Sequence, residues 1–298
     1  MVNVNPLTEG TVRLNKASLY YKMTGKGEPV IILHGGPGGD HNLMLPFQEL
    51  ADAYQVIFYD QRGTGHSDAE LNSDSINVAN FIQDLESLRT ELGLGKVHLL
   101  GHSWGSVLGM LYAMEHSDWI RTLTLFGTPG ASTEFFPVYF QNMEKNTDPD
   151  DKERLAAIKA TKAYQTKDAA VMEQYTRILF KSYFRDKSLV NDVNFTLGPN
   201  TVANQQAVGT LLMQDLGNFN YYDCLNKITC PTLIIQGADD LFPTDAAFKT
   251  HQHIPGSKLI VQEHAGHLLF IDNKEPFFDK VRLFMSDPET VQNQVPEP

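Results

Sequence analysis

Hydrophobic positions fall into short unbroken runs separated by polar, glycine-rich stretches. Pro29-Val30-Ile31-Ile32-Leu33 is continuously apolar and β-branched, as a strand covered on both faces should be. Residues 54–59 predict a second buried strand, and 97–100, 121–126, 231–236 and 258–261 predict four more. Before them, 11–14 and 18–23 read as an antiparallel edge, with a turn at 25–28. Helical periodicity lies between these runs. Val78, Phe81, Ile82, Leu85, Leu88 and Leu92 share one helical face, and Gly93 and Gly95 follow its end. The stretch after Gly105 is apolar nearly all round, which predicts a buried helix. Strands alternating with helices up to residue 130 argue for a doubly wound, mostly parallel sheet.

The pattern changes at residue 131. Residues 131–225 hold helical candidates at 151–164, 168–184 and 201–216, many aromatic residues and no convincing buried strand. They read as a helical insertion over the site, its aromatic residues mostly packing. The sheet then resumes, a last helix is expected near 274–285, and the tail 286–298 is expected to be loose.

Composition narrows the functional classes. A chain of 298 residues, 42% hydrophobic and 20% charged, can hold one large domain or a domain with an insertion. A formal net charge of -12 argues against nucleic acid and anionic membranes as partners. No apolar run approaches the roughly 18 residues of a membrane span. The first ten residues lack the basic region and apolar core of a signal peptide, so the expected compartment is cytoplasmic. Cys224 and Cys230 cannot build a disulfide framework and have no pattern of zinc ligands around them.

The candidate chemistry begins at Gly101-His102-Ser103-Trp104-Gly105, a G-x-S-x-G between a predicted strand and a predicted helix. A serine at the tip of so sharp a turn has a strained backbone and a protruding hydroxyl. Side chains two residues to either side would collide with the neighbouring elements, and Gly101 and Gly105 have none. A serine hydroxyl needs an imidazole to take its proton and a carboxylate to orient that imidazole. The strand ending at 236 leads to Asp239 and Asp240, and the strand ending at 261 leads to His264 and His267. The order Ser, Asp, His fits an α/β-hydrolase. His34-Gly35-Gly36-Pro37-Gly38-Gly39 ends another strand and lacks a nucleotide-binding pattern, so it reads as an oxyanion loop with the unobstructed N–H of Gly36 as a donor. His34 reads as a structural hydrogen bonder. Asp60 and Arg62 read as a pair tying their own loop together.

On these residues the chain resembles the α/β-hydrolase superfamily. Through His34–Gly39, Asp60-Gln61-Arg62-Gly63-Thr64-Gly65-His66-Ser67 and Gly101–Ser106 it is most similar to the proline iminopeptidase group of serine peptidases. The resemblance implies an α/β-hydrolase fold: a mostly parallel eight-stranded sheet with helices on both faces, a core of 1–130 and 226–298, and a helical cap at 131–225. It assigns Ser103 as nucleophile, Asp240 as orienting acid, His267 as general base, and Gly36 and Trp104 as the oxyanion hole. The implied reaction is acyl transfer to serine and hydrolysis of the acyl-enzyme, with no metal or organic cofactor. The expected partner is a small-molecule or short-peptide substrate. An aminopeptidase releasing N-terminal proline or small apolar residues is the first expectation. A carboxylesterase or amidase on small acyl substrates is the alternative, and a non-catalytic ligand-binding protein a remote one. One departure stands out. The group binds the substrate's free amine through cap carboxylates, in a Trp-Glu pair or an Asn-Glu-Phe triplet. Here the comparable stretch reads Leu216-Gly217-Asn218-Phe219-Asn220, leaving Glu144, Glu173 or Asp215 as possible substitutes.

Overall fold

A computed structural model describes residues 7–14 and 16–294. The readings of residues 1–6 and of Pro296 and Pro298 lie outside them. The strands are β1 (Thr8–Leu14), β2 (Ala17–Thr24), β3 (Glu28–Leu33), β4 (Tyr54–Tyr59), β5 (Asp68–Ala69), β6 (Val97–His102), β7 (Ile120–Phe126), β8 (Thr232–Gly237) and β9 (Lys258–Gln262). Eight run in the order β1-β2-β4-β3-β6-β7-β8-β9, and the two-residue β5 pairs with β2 as a ninth. From β4 to β9 every pairing is parallel, whereas β1-β2 and β2-β4 are antiparallel. The parallel strands therefore all end on one edge, where ligands of such sheets bind.

The unbroken apolar runs feed both faces. Ile31, Leu33, Leu99, Leu123 and Leu125 pack with α1 (Val78–Glu91) and α2 (Trp104–His116). The alternate residues Val30, Ile32, Val56, Phe58 and Leu100 pack with Phe47, Phe277, Phe278 and Phe284 on the other face. Between β7 and β8 come α3 (Phe136–Asn146), α4 (Pro149–Lys159), α5 (Lys162–Gln165), α6 (Ala169–Phe180) and α7 (Pro199–Leu216). The remaining α-helices are α8 (Thr244–His253), α9 (Leu269–Asp272) and α10 (Lys274–Ser286), and a 3-10 helix spans His41–Asp52.

Several expectations change in detail. The helix expected at 151–164 stops at Lys159, and the Thr161 hydroxyl accepts from the Tyr164 N–H at 3.1 Å to start α5. Helix α3 lies outside those expectations, although Phe136, Tyr139, Phe140 and Met143 stand at helical spacing; none of its residues is fully buried. The C-terminal segment is not loose as far as residue 294. Val261 N–H donates to Gln294 O at 2.8 Å, Gln294 N–H donates to Leu259 O at 2.9 Å, and Val291 is buried. This segment covers the open edge of β9, which would otherwise expose unpaired backbone. Cys224 and Cys230 are free thiols.

Asp60 and Arg62 do not pair with each other; each binds a different element. Asp60 accepts from the backbone and Nδ1 of His41 at 2.9 and 2.7 Å. Arg62 makes a two-pronged contact with Asp84 on α1, at 2.7 and 2.5 Å, and donates to Ser75 O at 3.0 Å. Both Arg62 and Asp84 are buried, and removing one partner leaves a buried charge uncompensated. Arg62→Met should cost about 3–5 kcal/mol in urea unfolding. Adding Asp84→Leu should recover most of that loss, and an unchanged midpoint in the single variant contradicts the assignment.

Candidate active site

The site is built on the ends of four parallel strands. At the end of β6, Ser103 has φ 55° and ψ -120°, a conformation that costs a non-glycine residue about 1–3 kcal/mol. It persists because the chain on either side can close up. A Cβ on Gly101 would lie 2.3 Å from the Gly105 carbonyl oxygen, and one on Gly105 would lie 2.2 Å from that of Leu33. Ser103 N–H donates to Phe126 O at 3.0 Å, and the Ser106 hydroxyl donates to Ser103 O at 2.6 Å. Helix α2 starts at Trp104 and aims its positive end at the turn.

At the end of β3, Gly35 packs against Ser103; a Cβ there would lie 3.1 Å from the serine Cβ. Gly36 follows at φ +135°, and a Cβ on it would strike the amides of Gly38 and Gly39. Among the described residues, the amides of Gly36 and Trp104 donate to no protein acceptor. Gln61 ties this loop to the turn. Its N–H donates to His34 Nε2 at 3.0 Å, its side-chain amide donates to His34 O at 2.9 Å, and its Oε1 accepts from Trp104 Nε1 at 2.8 Å. His34 is therefore a structural bridge, and burial lowers its pKa.

The loops after β8 and β9 bring together Asp240 and His267. His267 Nδ1 lies 2.9 Å from Asp240 Oδ1, and both side chains are buried. The carboxylate also accepts from Phe242 N–H at 2.9 Å and from Gln236 Nε2 at 2.9 Å. Gln236 is itself held, because its Oε1 accepts from Thr128 N–H at 2.9 Å. Asp239 turns outward and pairs with Arg185 at 3.1 Å. His264 is exposed and does not line the cavity, so of the two histidines only His267 reaches it.

His267 is fixed from three further sides. Its N–H donates to Tyr183 O at 2.8 Å, and its carbonyl accepts from His102 Nε2 at 2.9 Å. Burial holds His102 well below the usual imidazole range, so it is neutral and donates through that one nitrogen. Asp272 accepts from Gly266 N–H at 2.7 Å and from Arg185 N–H at 3.0 Å, joining the histidine loop to the segment after α6. Sequence reasoning missed Gln61, Gln236, Tyr183 and Asp272. Gln236 left a trace as a polar residue closing an apolar run, and Gln61 stands in the Asp60–Ser67 stretch, where its side-chain contacts cannot be read; Tyr183 and Asp272 act on backbone contacts that no motif records.

Ser103 and His267 line one cavity of about 590 Å³. Among the described residues the Ser103 hydroxyl makes no hydrogen bond to His267; in an unliganded site such contacts are often long and tighten around substrate. The walls beyond the two are mostly apolar, including Val107, Phe136, Phe180, Phe195, Met213 and Phe219. Asp40 is the one carboxylate lining the cavity among the described residues, and it is committed. Its oxygens accept from Asn42 N–H at 3.0 Å and from Gly198 N–H at 2.8 Å. Glu144, Glu173 and Asp215 do not line the cavity. They bind Lys152, the Leu197 N–H and the Val78 N–H respectively.

Away from the serine, His41, Asp60 and His66 place one ligand atom each within 4.8 Å of one another. The Asp60 oxygens there already accept from His41 and from the His66 N–H, which accounts for the cluster as loop scaffolding.

The chain matches the family described as alpha/beta hydrolase fold over residues 28–274. It is 27% identical over 296 residues to a proline iminopeptidase of Saccharolobus solfataricus, covering 93% of this chain and 92% of that one. It is 29% identical over 287 residues to a proline iminopeptidase of Clostridioides difficile, covering 91% and 95%. The crystal structure of VinJ superposes with a TM-score of 0.71 at 25% identity, over 94% of this chain and 98% of that one. With strands, turn and loops arranged as that fold requires, the chain belongs to the α/β-hydrolase fold family and is a hydrolase.

Proposed function

We propose that this chain is a serine hydrolase working through an acyl-enzyme on Ser103. The observation that carries the reading is the buried 2.9 Å contact between His267 and Asp240, beside a serine held in a strained turn on the same cavity. Asp240 holds His267 with its proton on Nδ1, leaving Nε2 free to take the proton of Ser103 as the serine oxygen attacks the substrate carbonyl. Negative charge develops on the carbonyl oxygen, where the unspent amides of Gly36 and Trp104 supply two donors. The protonated imidazole then gives its proton to the leaving alcohol or amine. Water repeats the sequence to release the acid and restore Ser103.

The cavity favours an uncharged acyl group, as an esterase or amidase takes. An ammonium would meet mostly aromatic and aliphatic walls and no free carboxylate among the described residues, and an unpaired buried charge is costly. The helices between β7 and β8 serve in this reading as the cap that supplies those walls. Release of N-terminal proline or small apolar residues is the second reading, favoured by relatives named proline iminopeptidase.

Ser103→Ala should lower kcat by at least about 10³-fold on whichever substrate is turned over, and wild-type turnover in that variant refutes the mechanism. Side by side, Asp240→Asn should cost about 10³- to 10⁴-fold and Asp239→Asn only a few-fold; the reverse order transfers the role to Asp239. Rates on p-nitrophenyl acetate and prolyl-naphthylamide separate the substrate readings. The ester should be the better substrate, whereas efficient release of proline that is lost on acetylating its amine establishes the aminopeptidase.

A further inference from the structure

A pair of hydroxyls beside the histidine has no part in the steps above. Tyr139 on α3 and Tyr183 after α6 bring their phenolic oxygens to 2.6 Å. Both residues line the cavity that holds Ser103 and His267. The Tyr183 ring meets the His267 imidazole edge-on, with centroids 5.4 Å apart. The Tyr139 ring stacks on Phe242 at 4.4 Å, and Phe242 lies 5.8 Å from the same imidazole. Burial raises both phenols above their ordinary value of 10.0, so both keep their protons at neutral pH.

Two protons and one mutual hydrogen bond leave a surplus. Whichever tyrosine donates, the other has an O–H with no acceptor among the described residues. That donor stands in a mostly apolar wall, where an unsatisfied hydroxyl is costly and a matched one selective. Its position says which half of a substrate it meets. The carbonyl oxygen belongs at Gly36 and Trp104, while the departing heteroatom must reach His267 Nε2 for its proton. Groups bordering the imidazole therefore border the leaving half.

We infer that the Tyr139–Tyr183 pair is a specificity element, donating one hydrogen bond to an acceptor oxygen on the leaving group. The substrates it fits are esters or amides whose departing alcohol or amine carries an ether, hydroxyl or carbonyl oxygen a few bonds from the scissile bond. The inference rests on the serine hydrolase reading and narrows it.

The test uses two esters that differ by one atom: 2-methoxyethyl butyrate, and n-butyl butyrate with CH₂ in place of the ether oxygen. The ratio of their kcat/KM values should favour the methoxyethyl ester in the wild type. It should fall about three- to tenfold in Tyr139→Phe/Tyr183→Phe, mainly through KM. A cavity that is merely loosened changes both esters alike and leaves the ratio where it was. If the double variant does not fold, the ratio should fall in at least one single variant, since each leaves a hydroxyl without its anchor. An unchanged ratio in every folded variant overturns the inference while fluorophosphonate labelling of Ser103 keeps the hydrolase reading intact. No turnover of either ester together with an unlabelled Ser103 overturns both.

Discussion

Everything at this site depends on one tight backbone turn. Ser103 occupies a conformation its side chain disfavours, and it can do so only because the chain two residues before and two residues after carries no Cβ. A methyl group at either glycine would be driven into a carbonyl oxygen at under 2.5 Å, which no rotamer change relieves because the obstruction is backbone. The closeness this permits has three consequences. The serine side chain stands clear of the sheet, α2 begins immediately behind it, and β3 comes close enough for Gly35 to pack against it.

Around that turn the polar groups form a continuous scaffold. Gln61 links the loop after β3 to Trp104, Gln236 links the loop after β7 to Asp240, and His102 links the turn to the His267 backbone. Each is a buried group with its hydrogen bonds directed at a functional loop, so loops distant in sequence share one geometry. Preorganisation of this kind spares the reaction the reorientation that water would require. The segment between β7 and β8 also takes part in this scaffold, because Tyr183 O and the amide of Arg185 meet the histidine loop through His267 and Asp272.

Much of this was legible in the sequence, for physical reasons. A strand buried on both faces must be apolar throughout, so 29–33, 54–59 and 121–126 stood out. A strained serine needs glycines at fixed offsets, so the turn stood out as well. What stayed hidden depends on three-dimensional neighbours. Sequence proximity pairs Arg62 with Asp60, two residues away, yet its partner Asp84 lies on α1, beyond β5. Helix α3 turns its stripe of Phe136, Tyr139 and Phe140 toward the cavity, and helical spacing alone does not tell a cavity wall from packing. Asp239 and Asp240 are chemically equivalent on paper, and only the turn after β8 decides which one points at His267 and which at Arg185.

The central claim is that Ser103 is the residue to which the acyl group is transferred. Incubating the folded protein with a fluorophosphonate and mapping the modified peptide tests it directly. The account predicts one label, on Ser103, lost in His267→Ala even though that variant retains the serine. Stoichiometric labelling at another residue, or equal labelling of Ser103 without the imidazole, contradicts it.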